Sequence, residues 1–206
     1  AFSTKFKYQY VNLEISGLKK VNKDFIEQKT NKYLNKSIFV LPLNKISNSI
    51  LENNWIKEIN LSTNYKDTLF INITEYMPIG IYEFNNRYFY FDERGKIIEE
   101  LQYVKNSEQS YIIFIGSSSN LKARLLIKTL EDLKFNNKYK VLRAEYINKR
   151  RWNIFLENDI KLMLSENKTK DSLQNYLLII KNLKSTYLNN KKTFDLRNLD
   201  KILIDN

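Results

Sequence analysis

The stretch RRWNIFLENDIKLMLSE, residues 150–166, alternates apolar and polar side chains on both sides of an Asn-Asp pair. No other run restricts the fold as tightly. Trp152, Ile154 and Leu156 fall on one face of an extended segment, and Ile160, Leu162 and Leu164 on one face of the next, because successive strand side chains point to opposite sides. Asn158 and Asp159 tolerate the positive backbone torsions that a tight two-residue hairpin loop needs. The segment therefore reads as a half-buried hairpin, with Trp152 packing into its core.

The first 80 residues read strand, helix, helix, strand, strand. In YQYVNLEISG (8–17), Val11, Leu13 and Ile15 share a strand face and Gly17 ends the run. Asn22 can cap a helix carrying Phe25, Ile26, Tyr33 and Leu34. A shorter helix starts at Pro42, which fits a first helical turn, and packs Leu43, Ile46, Ile50 and Leu51. Ile59, Leu61 and Thr63 then match Leu69, Ile71 and Ile73 across an Asn-Tyr-Lys-Asp turn. Two helices covering one face of a three-stranded sheet make a complete small module, with Trp55 closing its core.

Met77-Pro78 marks a boundary, and the remainder reads as a second, strand-rich module (81–206). Residues 82–84 and 88–91 flank Asn85-Asn86 as a hairpin, and Asp92 to Gly95 form the next turn before a strand at 96–98. Residues 111–115 form a buried strand and 141–148 an extended run into the opening hairpin. Leu121, Leu125, Leu126, Leu130 and Leu133 define one helical stripe; Leu173, Tyr176, Leu177, Ile180, Leu183 and Tyr187 define another. FDLRNLDKILIDN (194–206) gives two short strands around Asn198, Leu199 and Asp200. The expected fold class is α+β, the second module being a mainly antiparallel sheet with two packed helices. No internal repeat is present.

Composition removes several kinds of chemistry. There is no Cys, so no disulfide or thiol nucleophile, and no His, the commonest metal ligand and the usual general base near neutral pH. No run matches an acidic calcium loop, and no GxSxG nucleophile turn occurs. No apolar segment approaches the roughly 20 residues needed to cross a bilayer. The chain begins AFSTKFKYQY without an initiator Met, which leaves room for an upstream anchor. A formal charge of +11 raises a nucleic-acid reading, with Tyr and Phe available to stack on bases. Most Lys are nevertheless interleaved with Asn, Glu and Asp, and only Lys19-Lys20, Lys149-Arg150-Arg151 and Lys191-Lys192 cluster. A solvated basic surface is the reading that pattern favours, and attraction to anionic lipid is a further, separate alternative.

Three stretches together, NNWIKEINLSTNYKDTLFINITEYMPIGIY (53–82), the 150–166 hairpin and FDLRNLDKILI, resemble the bacterial cell-division family FtsQ/DivIB. The resemblance covers most of the chain: a POTRA module over 1–80, then the family's β domain over 81–206. Glu75 and Pro78 stand where the family has them. Tyr76 replaces an Arg common in relatives, Ser165-Glu166 a Gly-Arg pair, and Arg197-Asn198 an Arg-Tyr pair. The resemblance implies a noncatalytic division scaffold without cofactors. It implies a single-pass inner-membrane protein whose upstream helix lies outside this chain and whose two modules are periplasmic. The implied partners are the FtsB-FtsL pair and other divisome membrane proteins, which connect it to septal peptidoglycan synthesis. A POTRA-bearing outer-membrane assembly or secretion factor is the alternative scaffold.

The residues suggest how a partner is held. A last strand over 201–204 at a sheet edge offers unpaired N–H and C=O groups to an added strand. Ile202 and Ile204 face the domain core, leaving Lys201, Leu203 and Asp205 on the other side and Leu203 exposed. Arg197 either orients a partner carboxylate through a forked pair of hydrogen bonds or pairs within the domain, with Asp195 at hand. By resemblance, Arg197 and Asn198 fall in the FtsB-contacting region, with Arg151 in the basic hairpin behind it.

Overall fold

The computed structural model describes residues 8–104, 110–182 and 192–205. The chain divides into two compact units, Ala1–Tyr76 and Met77–Asn206.

The first unit contains β1 (Asn12–Ser16), α1 (Lys23–Asn31), a 3-10 turn (Ile38–Val40), α2 (Leu43–Ile50), β2 (Ile56–Thr63) and β3 (Thr68–Glu75). β3 lies in the middle of the sheet, parallel to β1 and antiparallel to β2. A parallel pair needs a long crossover, and the two helices supply it. Asn22 caps α1 by accepting from the Asp24 N–H at 2.9 Å. Pro42 stands at the N-cap of α2, one place before the first turn where the sequence puts it. Ile26, Ile46 and Ile50 are fully buried in one cluster with Leu69, Ile71 and Ile73. The β2–β3 register pairs Ile59 with Ile73, Leu61 with Ile71 and Thr63 with Leu69. Asn64 organises the turn between them, its Oδ1 accepting from the N–H of Lys66, Asp67 and Thr68 at 2.9, 2.9 and 3.0 Å.

After β1 the chain turns at Gly17, where φ is +86° and a Cβ would lie 1.9 Å from the Ile73 carbonyl oxygen. Only glycine fits there. The loop that follows is pinned by Glu75, whose carboxylate accepts from the N–H of Lys19, Lys20 and Val21 at 2.9, 2.8 and 3.0 Å.

The second unit contains β4 (Gly80–Phe84), β5 (Arg87–Phe91), β6 (Ile97–Leu101), β7 (Ile113–Ile115), α3 (Ser119–Asp132), β8 (Val141–Ile147), β9 (Arg151–Leu156), β10 (Lys161–Leu164), α4 (Thr169–Asn182), β11 (Thr193–Leu196) and β12 (Leu203–Asp205). The strands form one sheet in the order β12-β11-β10-β9-β8-β7-β4-β5-β6. Asn85 and Asn86, both at positive φ, make the two-residue turn between β4 and β5. β7 and β8 are parallel and joined through α3, and β10 and β11 are parallel and joined through α4. Both crossovers run in the same direction along the sheet from strands of the same orientation, so right-handed connections place both helices on one face. α3 packs on β4 and β7, α4 on β10 and β11, and the helices touch each other.

Two rows of paired residues summarise the sheet. Tyr82, Phe114, Ala144, Ile154, Leu162, Phe194 and Ile204 stand side by side from β4 to β12 and belong to the core under the helices. The adjacent row, on the opposite face, runs Glu83, Ile115, Glu145, Asn153, Met163, Asp195 and Leu203. Trp152 is buried, its ring edge-on to Phe114 at 5.7 Å and beside Tyr146 at 4.6 Å.

Three expectations are corrected. The 150–166 hairpin does not turn on two residues: Glu157–Asp159 form a 3-10 turn, Asp159 takes φ +61°, and the Leu156 N–H donates to the Ile160 carbonyl at 2.8 Å. A three-residue loop ending in one left-handed residue closes a hairpin as well as a two-residue loop does. The leucines of α3 do not form one stripe, since Leu125 is 73% exposed and Leu121 is exposed too, while Leu126 and Leu130 are buried with Ala123. At 3.6 residues per turn Leu121 and Leu125 share a face about 140° away from that of Leu126 and Leu130. The last strand begins at Leu203 rather than at 201, because residues 197–200 form bends and Asn198 accepts from the Asp200 N–H at 2.9 Å. Leu183, Tyr187 and Lys191 lie outside the described residues.

Candidate functional site

β12 stands at one end of the nine-strand order, and β6 at the other. Among the described residues its neighbour is β11, with Thr193 opposite Asp205, Phe194 opposite Ile204 and Asp195 opposite Leu203. Alternation then divides the final residues. Ile204 and Ile202 pack against the core cluster, whereas Leu203 is turned to the opposite face and is 56% exposed. Main chain and one apolar side chain are what this strand presents outward.

Around Leu203 the fold gathers residues from three separate segments. Arg151 at the start of β9, Asp195, Arg197 and Asn198 at the end of β11, and Lys201 and Leu203 at the start of β12 line a shallow concavity of about 450 Å³. Of the residues the sequence singles out, Arg151, Arg197, Asn198, Lys201 and Leu203 thus come together, and Ile202 and Ile204 turn away into the core.

Charge in the concavity is unequal: Arg151, Arg197 and Lys201 face one carboxylate, Asp195. The fork of Arg197 is already engaged. Its Nε donates to Asp195 Oδ1 at 2.8 Å, Nη2 donates to Oδ2, and its backbone N–H donates to Oδ1 at 3.1 Å. That fork holds the Asp195 carboxyl below the usual carboxylate range; burial opposes it, and the charges of Arg197 and Arg151 add to it. Arg151 carries its own debt, because its Nε is buried with no hydrogen-bond partner among the described residues. Next to it along β9, Asn153 is buried with its Oδ1 equally unpartnered, on the row that ends at Asp195 and Leu203. The i,i+2 spacing of Asp195, in β11, and Arg197, just past its end, signals their pairing. For the burial of Asn153, alternation gives no signal.

The guanidinium and ammonium groups are donors only, Asp195 is neutralised by its neighbour, and no group of three or more metal-ligating side chains occurs among the described residues. What the geometry offers is a strand at the end of a sheet, beside an apolar side chain and a net positive hollow. No helix of the described residues is long and apolar enough to cross a membrane.

Family models match both units. A POTRA domain of the FtsQ type matches residues 11–76, and the C-terminal region of cell division protein FtsQ/DivIB matches residues 80–197. Cell division protein FtsQ of Rickettsia typhi is 30% identical over 208 residues, covering 98% of this chain and 74% of the relative. The protein of the same name from Rickettsia prowazekii is 29% identical over the same span. That of Zymomonas mobilis is 25% identical over 155 residues, covering 75% of this chain and 48% of the relative. The two matches fall on the strand-helix-helix-strand-strand unit and on the mixed sheet with its two helices. The chain belongs to FtsQ/DivIB, a noncatalytic family of cell-division proteins.

Proposed function

We propose that the chain is a divisome scaffold that captures a segment of the FtsB-FtsL pair as an added strand beside β12, and so connects it to septal peptidoglycan synthesis. The observation that carries this reading is the place of β12 at the end of the sheet order, with Leu203 exposed beside Arg151, Arg197 and Lys201. An incoming strand takes its main-chain hydrogen bonds from the outer side of β12. Its side chains read the row containing Leu203. Burying an aliphatic side chain contributes roughly 1.5–3 kcal/mol, and an exposed ion pair about 0–1 kcal/mol, so Leu203 sets affinity and the cations set register. The unequal charge favours an acidic residue in the guest. Arg197 meets it with the donors that Asp195 leaves over, and Arg151 adds its charge to the same hollow.

On this reading the two units stand in the periplasm, with membrane attachment through a helix upstream of Ala1. The test is binding of the periplasmic part of FtsB, measured by calorimetry. Leu203→Glu and Arg197→Glu are expected to weaken it, the first by about tenfold or more, with the far-ultraviolet circular dichroism of each variant unchanged. Folded variants that bind as tightly as the parent protein overturn the assignment.

A further inference from the structure

The first unit carries an exposed aromatic cluster that strand pairing does not account for. Phe39, in the 3-10 turn after α1, is 61% exposed; its ring lies 5.6 Å from that of Tyr8 and 6.4 Å, stacked, from that of Tyr65 at the tip of the β2–β3 turn. Three segments far apart in sequence bring these rings together: the Tyr8 carbonyl accepts from the Ile38 N–H at 3.0 Å, and the Val11 N–H donates to the Asp67 carbonyl at 2.9 Å. Val40, 71% exposed, adjoins Phe39, and Val11 is exposed beside the same turn. Core packing explains none of these side chains. The unit buries its own apolar residues in a separate cluster under α1 and α2.

The charges interleaved with these rings decide what the surface can meet. Lys66 directly follows Tyr65, and Lys36, whose carbonyl accepts from Tyr10, lies on the same loop as Phe39; both are exposed. Lys32 and Lys36 each place Nζ 5.2 Å from the centre of the Tyr33 ring. The nearby carboxylate, Asp67, is turned into its own loop and accepts from Asn64 Nδ2 at 3.0 Å and Thr68 Oγ1 at 2.7 Å. Exposed Tyr, Phe and Val with ammonium groups among them match the chemistry of an anionic bilayer interface. There amphipathic rings sit at headgroup depth, and lysines gain from the negative surface potential.

We propose that this aromatic and lysine surface of the first unit rests on a membrane containing anionic phospholipid. Tyr8, Phe39, Val40 and Tyr65 enter the interfacial layer while Lys36 and Lys66 pair with phosphate groups. The surface lies on a different unit from β12, so the proposal stands apart from strand capture. Its consequence is a second membrane contact that orients the first unit, whatever anchors the protein.

The test is flotation of the purified 206-residue chain with vesicles of phosphatidylglycerol mixed with phosphatidylcholine, and with vesicles of phosphatidylcholine alone. The chain is expected to float with the first and far less with the second. Tyr65→Asn, which suits the φ of +56° at that position, and Val40→Ser are each expected to lower the partition coefficient several-fold, and together about tenfold or more. Lys36→Glu with Lys66→Glu should abolish the preference for phosphatidylglycerol while the thermal melt is retained. The proposal is overturned if the parent chain stays with the soluble fraction. It is equally overturned if flotation is indifferent to Tyr65→Asn and Val40→Ser, which would make the binding a diffuse effect of net charge. A dimer in solution that these same substitutions dissociate would identify the occupant as a second copy and overturn it too.

Discussion

At the scale of single residues, Glu75 and Asp195 show how one carboxylate can organise a loop. Burial alone would push the Glu75 carboxyl up, but the N–H groups of Lys19, Val21 and Lys20 and the Lys19 charge outweigh it and leave the group below its ordinary value. A depressed folded-state value means that the stability it contributes is complete above the unfolded-state pKa and is lost as pH falls through the folded one. The first unit is therefore expected to loosen on acidification below about pH 4, and Glu75→Gln to flatten that dependence while costing about 1–3 kcal/mol at neutral pH. Urea unfolding followed across a pH series checks both. Asp195 opposes any acidic guest for Arg197, so Asp195→Asn is expected to tighten FtsB binding by up to about fivefold, read by calorimetry. A loss of affinity would mean that Asp195 matters by aiming Arg197. Arg197 and Leu203 are legible as candidates from residue type and strand alternation, and Arg151 from the resemblance. Their meeting in one hollow is not legible, because it depends on β9 and β12 flanking β10 and β11, which no local pattern states.

At the scale of elements, period decided what was legible. Strand alternation located each hairpin, and the Asn85-Asn86 pair announced its turn, because a two-residue loop needs left-handed residues at both positions. The Asn158-Asp159 pair carried the same signal and misled. One left-handed residue suffices there, and the loop gained a residue. In α3 an abundance of leucine hid which side is buried, since only angle separates Leu125 from Leu126. The two should behave oppositely on truncation: Leu126→Ala is expected to cost about 2–5 kcal/mol and Leu125→Ala less than about 0.5 kcal/mol, as measured by denaturant midpoint. Comparable losses from both would mean that the helix is rotated from the position described.

At the scale of the whole molecule, the order of helices and strands was readable, but the strand order was not. Three parallel pairings, β4–β7, β7–β8 and β10–β11, join segments whose intervening chain leaves the sheet and returns. A single sequence marks where strands are, while pairing between distant strands depends on faces that many partners would satisfy. All residues of the proposed capture site lie within Met77–Asn206, which has its own core. Residues 77–206 alone are therefore expected to bind FtsB within about twofold of the intact chain, and a large deficit in calorimetry would assign part of the contact to the first unit. The brevity of β12 has a further consequence. A strand left at the end of a sheet invites identical molecules to zip together when crowded, and long flat ones do so most readily. With three residues, and ionic side chains at 201 and 205, this one gives a like molecule little to grip. On the proposed reading, telling a guest from a like molecule then falls to the side chains that meet the hollow beside this strand.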